Sequence, residues 1–383
     1  MFELTPFTGN ALKDRILLLL VSCEKAQSDD FACLHPSAKY LSKVIMELRN
    51  ARIITTTNER PYVASITREI GAELINRVSP EAFEHYLKTT NNFHAGRTER
   101  HIDNARRAAG ILALMEGANI YIGPQKPKLS DIISGSHPEL TYRCNTFYLN
   151  KELKYSDEQK ESKTIKSRSS GIVFSRGITG PVYNTGTIKL QLTRKPELEA
   201  VMRVTRYLQD IYAEPQKFIC RDSIVVSDVT GQEANLLMPQ NKSTGNRITI
   251  GDAIWNKSIT GTAFRYIPKS IDGATSLKHI TTTTREEFLK AAFTEEERRA
   301  AEKAGEGEAI IKGLICYEYL SCNVSKLAYI KRTYNDLTKV GIVCSESQHD
   351  FIISFMQTTN LRLRTIRNDK VDELLAHGRG ELN

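Results

Sequence analysis

Apolar residues recur at helical spacing in the stretch that follows Leu34. Four of them, at positions i, i+3, i+4 and i+7, form one stripe: Leu41, Val44, Ile45 and Leu48. This spacing predicts an amphipathic helix over 38–52. Ser37 suits its N-cap, because a serine hydroxyl can accept from the first backbone N–H groups. Two β-prone runs, 53–57 and 61–65, follow, and the polar turn between them predicts a hairpin.

The neighbouring segments complete a small domain. Apolar spacing predicts helices over 10–24 and 29–34, and a further helix opens after Thr67 with Ile70, Leu74, Ile75 and Val78 inward. A helix, a short helix, a third helix, a hairpin and a closing helix follow the order of a winged helix-turn-helix. We therefore predict a winged helix-turn-helix DNA-binding domain over residues 1–80.

Beyond this domain the pattern predicts a helical connector over 81–118 and a mixed α/β domain over 119–383. Three glycine-bounded strands within 171–192 predict an antiparallel meander. From residue 309 onward, strands alternate with helices, which predicts crossover connections and a parallel or mixed sheet. The predicted fold class is thus α/β (mixed α+β), with an N-terminal winged helix-turn-helix followed by a mixed-sheet domain.

Charge is distributed unevenly along the chain. The formal net charge of the 383 residues is +8, and residues 101–195 alone hold 15 Lys and Arg against 8 Asp and Glu. Such a surplus is expected of a surface that meets phosphates, although a solvated basic face is the alternative. The longest apolar run, 16–21, is too short for a membrane span. We expect a cytoplasmic protein with no membrane partner.

The third helix of a winged helix enters the major groove, so its outward side chains are candidate DNA contacts. They are Ser37, Lys39, Tyr40, Ser42, Lys43 and Met46. Further basic candidates are Arg60 at the wing tip, Arg106 and Arg107 on the connector helix, and Lys163, Lys166 and Arg168 in the middle of the chain. The predicted partner is double-stranded DNA. A protein-protein assembly role for the same module, and a homo-oligomer, stay open.

Several catalytic motifs are absent from the sequence. It contains no His-x-His pair, no P-loop and no Gly-x-Ser-x-Gly elbow, which argues against an HUH relaxase, an ATPase and an α/β-hydrolase. The seven scattered cysteines include no CxxC pair and predict buried, reduced thiols. We assign no catalytic residue, metal ligand or cofactor. A Mg²⁺-dependent nuclease stays the alternative, with candidate acids Glu199, Asp222, Asp228 and Glu318, which surface or salt-bridged acids would equally explain.

The N-terminal order of elements, with Thr67-Arg68-Glu69-Ile70-Gly71 after the wing, resembles the replication-relaxation type of winged-helix protein. That family is found on plasmids and conjugative elements of Gram-positive bacteria. The resemblance covers residues 1–80 by motif and implies a DNA-associated role without a fixed cofactor. The resulting hypothesis is a sequence- or structure-selective DNA-binding protein of a mobile genetic element, acting in replication, mobilisation or its regulation.

Overall fold

The computed structural model divides the chain into two compact units. The first unit comprises Met1–Leu149 and Lys269–Leu277, and the second comprises Asn150–Pro268 and Lys278–Asn383. The structure describes residues 10–23, 25–58, 63–84, 87, 99–123, 145–150, 167–211, 220, 222–239, 247–256 and 261–380, and the backbone alone at 99–107, 203–204, 206–211 and 377–380. Both units combine helices and strands, so the predicted mixed α/β class is confirmed.

The first unit contains a three-stranded antiparallel sheet and helices. Its elements are α1 (Ala11–Cys23), β1 (Lys25–Gln27), a 3-10 helix (Ser28–Cys33), α2 (Ala38–Asn50), β2 (Ile54–Thr56), β3 (Val63–Ile66), α3 (Ile70–Val78), α4 (Glu99–Gly117) and β4 (Thr146–Leu149). The strand order is β1-β3-β2, and both pairings are antiparallel. This is the order of elements that the winged-helix prediction requires, and the assignment itself stays a prediction.

Side chains cap the first two α-helices, and the cap at Ser37 is the one predicted above from the sequence. Asn10 Oδ1 accepts from Leu12 N and Lys13 N, each at 3.1 Å. Ser37 Oγ accepts from Tyr40 N at 3.3 Å. Each cap satisfies backbone N–H groups that have no partner within the helix.

Helix α4 belongs to the first unit, although the sequence suggested a connector. Residues 109–116 are buried, and α4 packs against α1 and β1. An apolar helix side of this width needs a surface to cover it, and α1 supplies that surface. The compact unit therefore extends to Leu149, whereas the predicted boundaries lie at residues 80 and 118.

The second unit contains most of the strands. Its elements are β5 (Gly171–Phe174), β6 (Gly180–Gly186), β7 (Gln191–Thr193), α5 (Arg194–Ile211), β8 (Asp222–Ser227), α6 (Glu233–Leu236), β9 (Arg247–Thr249), α7 (Ile250–Trp255), β10 (Ala263–Pro268), α8 (Ile271–Thr282), α9 (Arg285–Ala292), α10 (Glu295–Ala304), β11 (Ala309–Ile311), β12 (Leu314–Glu318), α11 (Val324–Thr333), β13 (Val340–Ser345), α12 (His349–Met356), β14 (Arg362–Ile366) and α13 (Asn368–Gly380). Helix α8 begins within the first unit and ends within the second.

In one sheet of this unit, β6, β8 and β10 lie side by side and parallel, and β5 pairs antiparallel with β6. The meander predicted over 171–192 is therefore wrong beyond β6, because β7 pairs with β9 in a separate two-stranded sheet. Residues 180–185 of β6 are buried without alternation, as expected of an interior strand. At Gly186 the backbone has a φ of 55° and the register shifts, so the chain leaves the sheet there.

A second sheet has the order β11-β12-β13-β14. Its last three strands are parallel, with α11 and α12 in the connections, which confirms the predicted alternation of strands and helices. The apolar stretch 309–319 contains the hairpin of β11 and β12. Lys312 and Gly313 both have positive φ, 50° and 81°, the backbone that a tight two-residue hairpin turn requires.

Large aromatic side chains fill the core of the second unit, among them Tyr183, Phe264, Tyr319 and Phe355. In the described part of the chain, six cysteines are buried and form no disulfide, as predicted, and Cys144 lies outside it. Among the helices that the structure describes, none combines the length and the apolar character needed to cross a membrane.

Candidate nucleic-acid interface

Helix α2 has one buried side and one exposed side. Leu41, Val44 and Leu48 are buried, and their spacing places them on a single stripe. Ile45, the fourth predicted member of that stripe, is half-buried. Packing therefore uses one side of the helix and leaves the other available for a ligand.

All six candidate residues at α2 are exposed: Ser37, Lys39, Tyr40, Ser42, Lys43 and Met46. Ser37 and Tyr40 also form hydrogen bonds. The Ser37 hydroxyl caps the helix, and the Tyr40 hydroxyl accepts from Asn10 Nδ2 at 3.3 Å. The Tyr40 ring contacts the His35 ring, with centroids 5.0 Å apart. These contacts orient Tyr40 at the start of the helix.

Ion pairing on α2 leaves part of its positive charge unneutralised. Glu47 pairs with Lys13 at 2.8 Å and lies 4.0 Å from Lys43. The hydrogen bond from Lys13, followed by the charges of Lys13 and Lys43, outweighs burial and lowers the pKa of Glu47. Among the described residues, Lys39 has no acidic partner within 4.0 Å. Because Lys13 neutralises Glu47, the exposed side of α2 keeps a positive charge.

Among the other predicted DNA contacts, the structure describes the side chain of Arg168 alone. Arg60, Lys163 and Lys166 lie outside the described residues, and Arg106 and Arg107 lie on α4 where only the backbone is described. Arg168 is exposed in the second unit. Its backbone N donates to the buried carboxylate of Glu197 at 2.9 Å.

A cleft beside the C-terminal end of α2 contains arginines that sequence reasoning missed. It has a volume of about 450 Å³ and is lined by Arg49, Arg52, Ile54, Thr55, Thr67, Arg68, Glu69 and Ile70. The helical spacing could have indicated Arg49, because it lies three residues after Met46 on the same side. No local pattern links Arg52 to Arg68, which the hairpin brings together.

Thr67 and Gly71 hold the walls of this cleft in place. Thr67 Oγ1 donates to Arg52 O at 2.6 Å, lies 3.1 Å from Ile53 O, and accepts from Gly71 N at 2.8 Å. A Cβ at Gly71 would lie 2.2 Å from Ile53 O, a contact that backbone atoms do not allow. The Thr67 to Gly71 motif thus joins the end of α2 to the start of α3.

The four acids considered for a nuclease do not converge. Asp222 begins β8 and Asp228 directly follows its last residue, so at about 3.3 Å per residue the two lie roughly 20 Å apart. Asp222 pairs with Arg265 at 3.1 Å, and Glu199 is exposed on α5. Within the described ranges there is no group of three or more His, Cys, Asp or Glu that could hold a metal ion.

Glu318, the fourth acid, is committed to a buried ion-pair network. It accepts from Ser321 Oγ at 2.7 Å and from Lys326 Nζ at 2.5 Å. Lys326 also pairs with Glu308 at 2.9 Å. Burial alone would raise the pKa of Glu318, but the Lys326 ammonium and the Ser321 donors hold that pKa below its ordinary value. These contacts give Glu318 a structural role within the fold.

The chain matches no family model. No curated protein and no solved structure matches it either. The candidate interface therefore rests on the geometry of α2 and of the cleft beside it.

Proposed function

We propose that the chain is a double-stranded-DNA-binding protein of a mobile genetic element, acting in replication, mobilisation or its regulation. The observation that carries the proposal is the exposed polar side of α2, followed directly by the β2-β3 hairpin. A helix in this position of a winged helix-turn-helix enters the major groove, and the hairpin serves as the wing. The mobile-element context rests on the resemblance of the Thr67 to Gly71 motif, and we expect a cytoplasmic location.

Two lysines supply the charge that this docking needs. Lys39 and Lys43 are exposed and lie one helical turn apart on α2, so both can reach the phosphates beside one groove. Each phosphate contact releases condensed counterions, and binding then weakens as salt rises. Base-edge contacts would come from Ser42 and Met46 on the same exposed side.

The test is binding of the full chain to duplex DNA over a salt series. Lys39→Ala/Lys43→Ala is expected to weaken binding on every sequence and to reduce the salt slope by about 2, at about 0.9 per lost phosphate contact. The matched control is Lys290→Ala/Lys303→Ala, which removes two exposed helical lysines of the second unit. The control should bind as the wild type does.

Two outcomes would overturn the proposal. One is a wild-type chain that fails to bind duplex DNA at low salt or binds without salt dependence. The other is an equal loss in the control variant, which would indicate a general charge effect. Light scattering with and without DNA distinguishes the assembly alternative, because assembly that needs no DNA would favour a protein-protein role.

A further inference from the structure

The cleft at the end of α2 collects three arginines that form no ion pair with a described acid. Its three arginines, Arg49, Arg52 and Arg68, are all exposed. None of them makes an ion pair with a carboxylate of the described residues, including the nearby Glu69. We propose that this cleft binds a phosphodiester group of the DNA backbone, an inference that rests on the proposed function and deepens it.

Arginine chemistry suits this ligand. A guanidinium presents several N–H donors in a planar fork that matches phosphate oxygens. Three such groups around one cleft repel one another, and an anion between them relieves that repulsion. The hydroxyls of Thr55 and Thr67 also line the cleft, and Glu69 lowers its formal charge from +3 to +2.

Arg52 occupies a backbone position that normally favours glycine. Helix α2 ends with Ile53 N donating to Leu48 O at 3.0 Å and Arg52 N donating to Arg49 O at 2.9 Å. These two bonds define a Schellman motif, in which the residue at the Arg52 position adopts a left-handed backbone. Arg52 has a φ of 56°, which a residue with a Cβ adopts at a cost. A phosphate contact by the Arg52 side chain would account for this unfavourable backbone conformation.

The cleft and the lysines of α2 are spaced for one duplex. Arg49 follows Lys39 by ten residues on the exposed side of the helix, a rise of about 15 Å. With one base pair per 3.4 Å, that rise corresponds to about four base pairs. The lysines would thus contact the backbone at one end of α2 and the arginine cleft would contact it at the other.

The experiment compares two triple variants of the full chain on duplex DNA over a salt series. Arg49→Gln/Arg52→Gly/Arg68→Gln removes the cleft charges, and Arg247→Gln/Arg362→Gln/Arg364→Gln removes three exposed arginines of the second unit. We expect the cleft variant to lose at least about tenfold in affinity at moderate salt, with a salt slope lower by about 0.9, because one phosphate contact is lost. The control variant of the second unit should keep the affinity and the salt slope of the wild type. The loss should be equal on two duplexes of different base composition, because phosphates carry no sequence information.

The single variant Arg52→Gly separates charge from folding. Glycine adopts a positive φ without strain, so the melting temperature should stay or rise while affinity falls. A fall in melting temperature together with affinity would overturn the inference for Arg52, because the side chain would then act through stability.

Failure of the cleft is distinguishable from failure of the DNA-binding role. If the cleft variant binds as the wild type does, while Lys39→Ala/Lys43→Ala weakens binding, the cleft inference is wrong and the proposed function stands. If the wild type binds no duplex DNA, the proposed function fails and the cleft inference falls with it.

Discussion

Glu116 lies buried near the C-terminal end of α4, and its carboxylate faces a single arginine. Arg15 Nε donates to Glu116 Oε1 at 3.1 Å, and other Arg15 nitrogens donate to Leu34 O and Glu116 O at 3.0 and 2.7 Å. Burial raises the pKa of Glu116 to about 7, against the opposing effect of Arg15. One hydrogen-bonded arginine therefore compensates only part of the cost of burying this carboxylate.

Because of this environment, we expect the free energy of unfolding to depend on pH. We expect Glu116→Gln to remove that dependence. A raised pKa means that the folded state binds the proton more tightly, so its stability contribution is complete below about pH 4.5 and is lost as pH rises through about 7. The loss is at most about 3.5 kcal/mol, at about 1.4 kcal/mol per pKa unit. Urea unfolding of the first unit at pH 5 and pH 8 measures it. Identical pH dependence of wild type and variant would contradict the assignment.

At the scale of elements, one hydroxyl joins two helices and a strand. Thr67 follows β3 directly and contacts the end of α2 and the start of α3 through the hydrogen bonds described above. Capping at Asn10 and Ser37 was predictable, because it depends on residues within one turn. The contacts of Thr67 with Arg52 and Ile53 were not, because they join residues 14 and 15 positions apart.

We expect Thr67→Val to destabilise the first unit and Thr67→Ser to leave it near wild type. Valine has a similar shape but leaves the Gly71 N–H and the Arg52 carbonyl without their partner, which costs about 1–3 kcal/mol. Serine keeps the hydroxyl. The free energy of unfolding, followed through hydrogen exchange of α2 and α3 amides, compares the two variants. Equal stability of the valine and serine variants would show that the hydroxyl contributes nothing.

At the scale of the whole molecule, a distant segment completes the first unit. Residues 269–277 belong to it although more than a hundred residues separate them from the rest. Lys269 Nζ pairs with the buried carboxylate of Asp30 at 3.3 Å, and a Cβ at Gly117 would lie 3.0 Å from Ala274 Cβ. Sequence patterns reveal local elements and not the unit in which each element packs, so they do not indicate that this segment joins the first unit.

Lys269→Met tests that arrangement. The substitution removes the ammonium partner of Asp30, which is 2% exposed, while the hydrogen bond from Gln27 N to Asp30 remains. We expect a loss of about 3 kcal/mol at most, because Lys269 keeps some solvent contact. Hydrogen-exchange protection should fall in α1 and α4 and stay unchanged in β12 and β13. The control is Lys278→Met, because Lys278 is exposed. An equal loss of unfolding free energy in the control would contradict the role assigned to the Lys269–Asp30 ion pair.

The sequence by itself determined α1 and α2 with their caps, the exposed side of α2 and the alternation of strands and helices after residue 309. Each depends on spacing or hydrogen bonds within a few residues, so the local pattern carries the information. Tertiary structure alone decided that β6 pairs with β8, that residues 269–277 join the first unit, and that Arg49, Arg52 and Arg68 surround one cleft. Strand partners and clefts bring together distant residues whose burial and hydrogen bonding are determined by the complete fold.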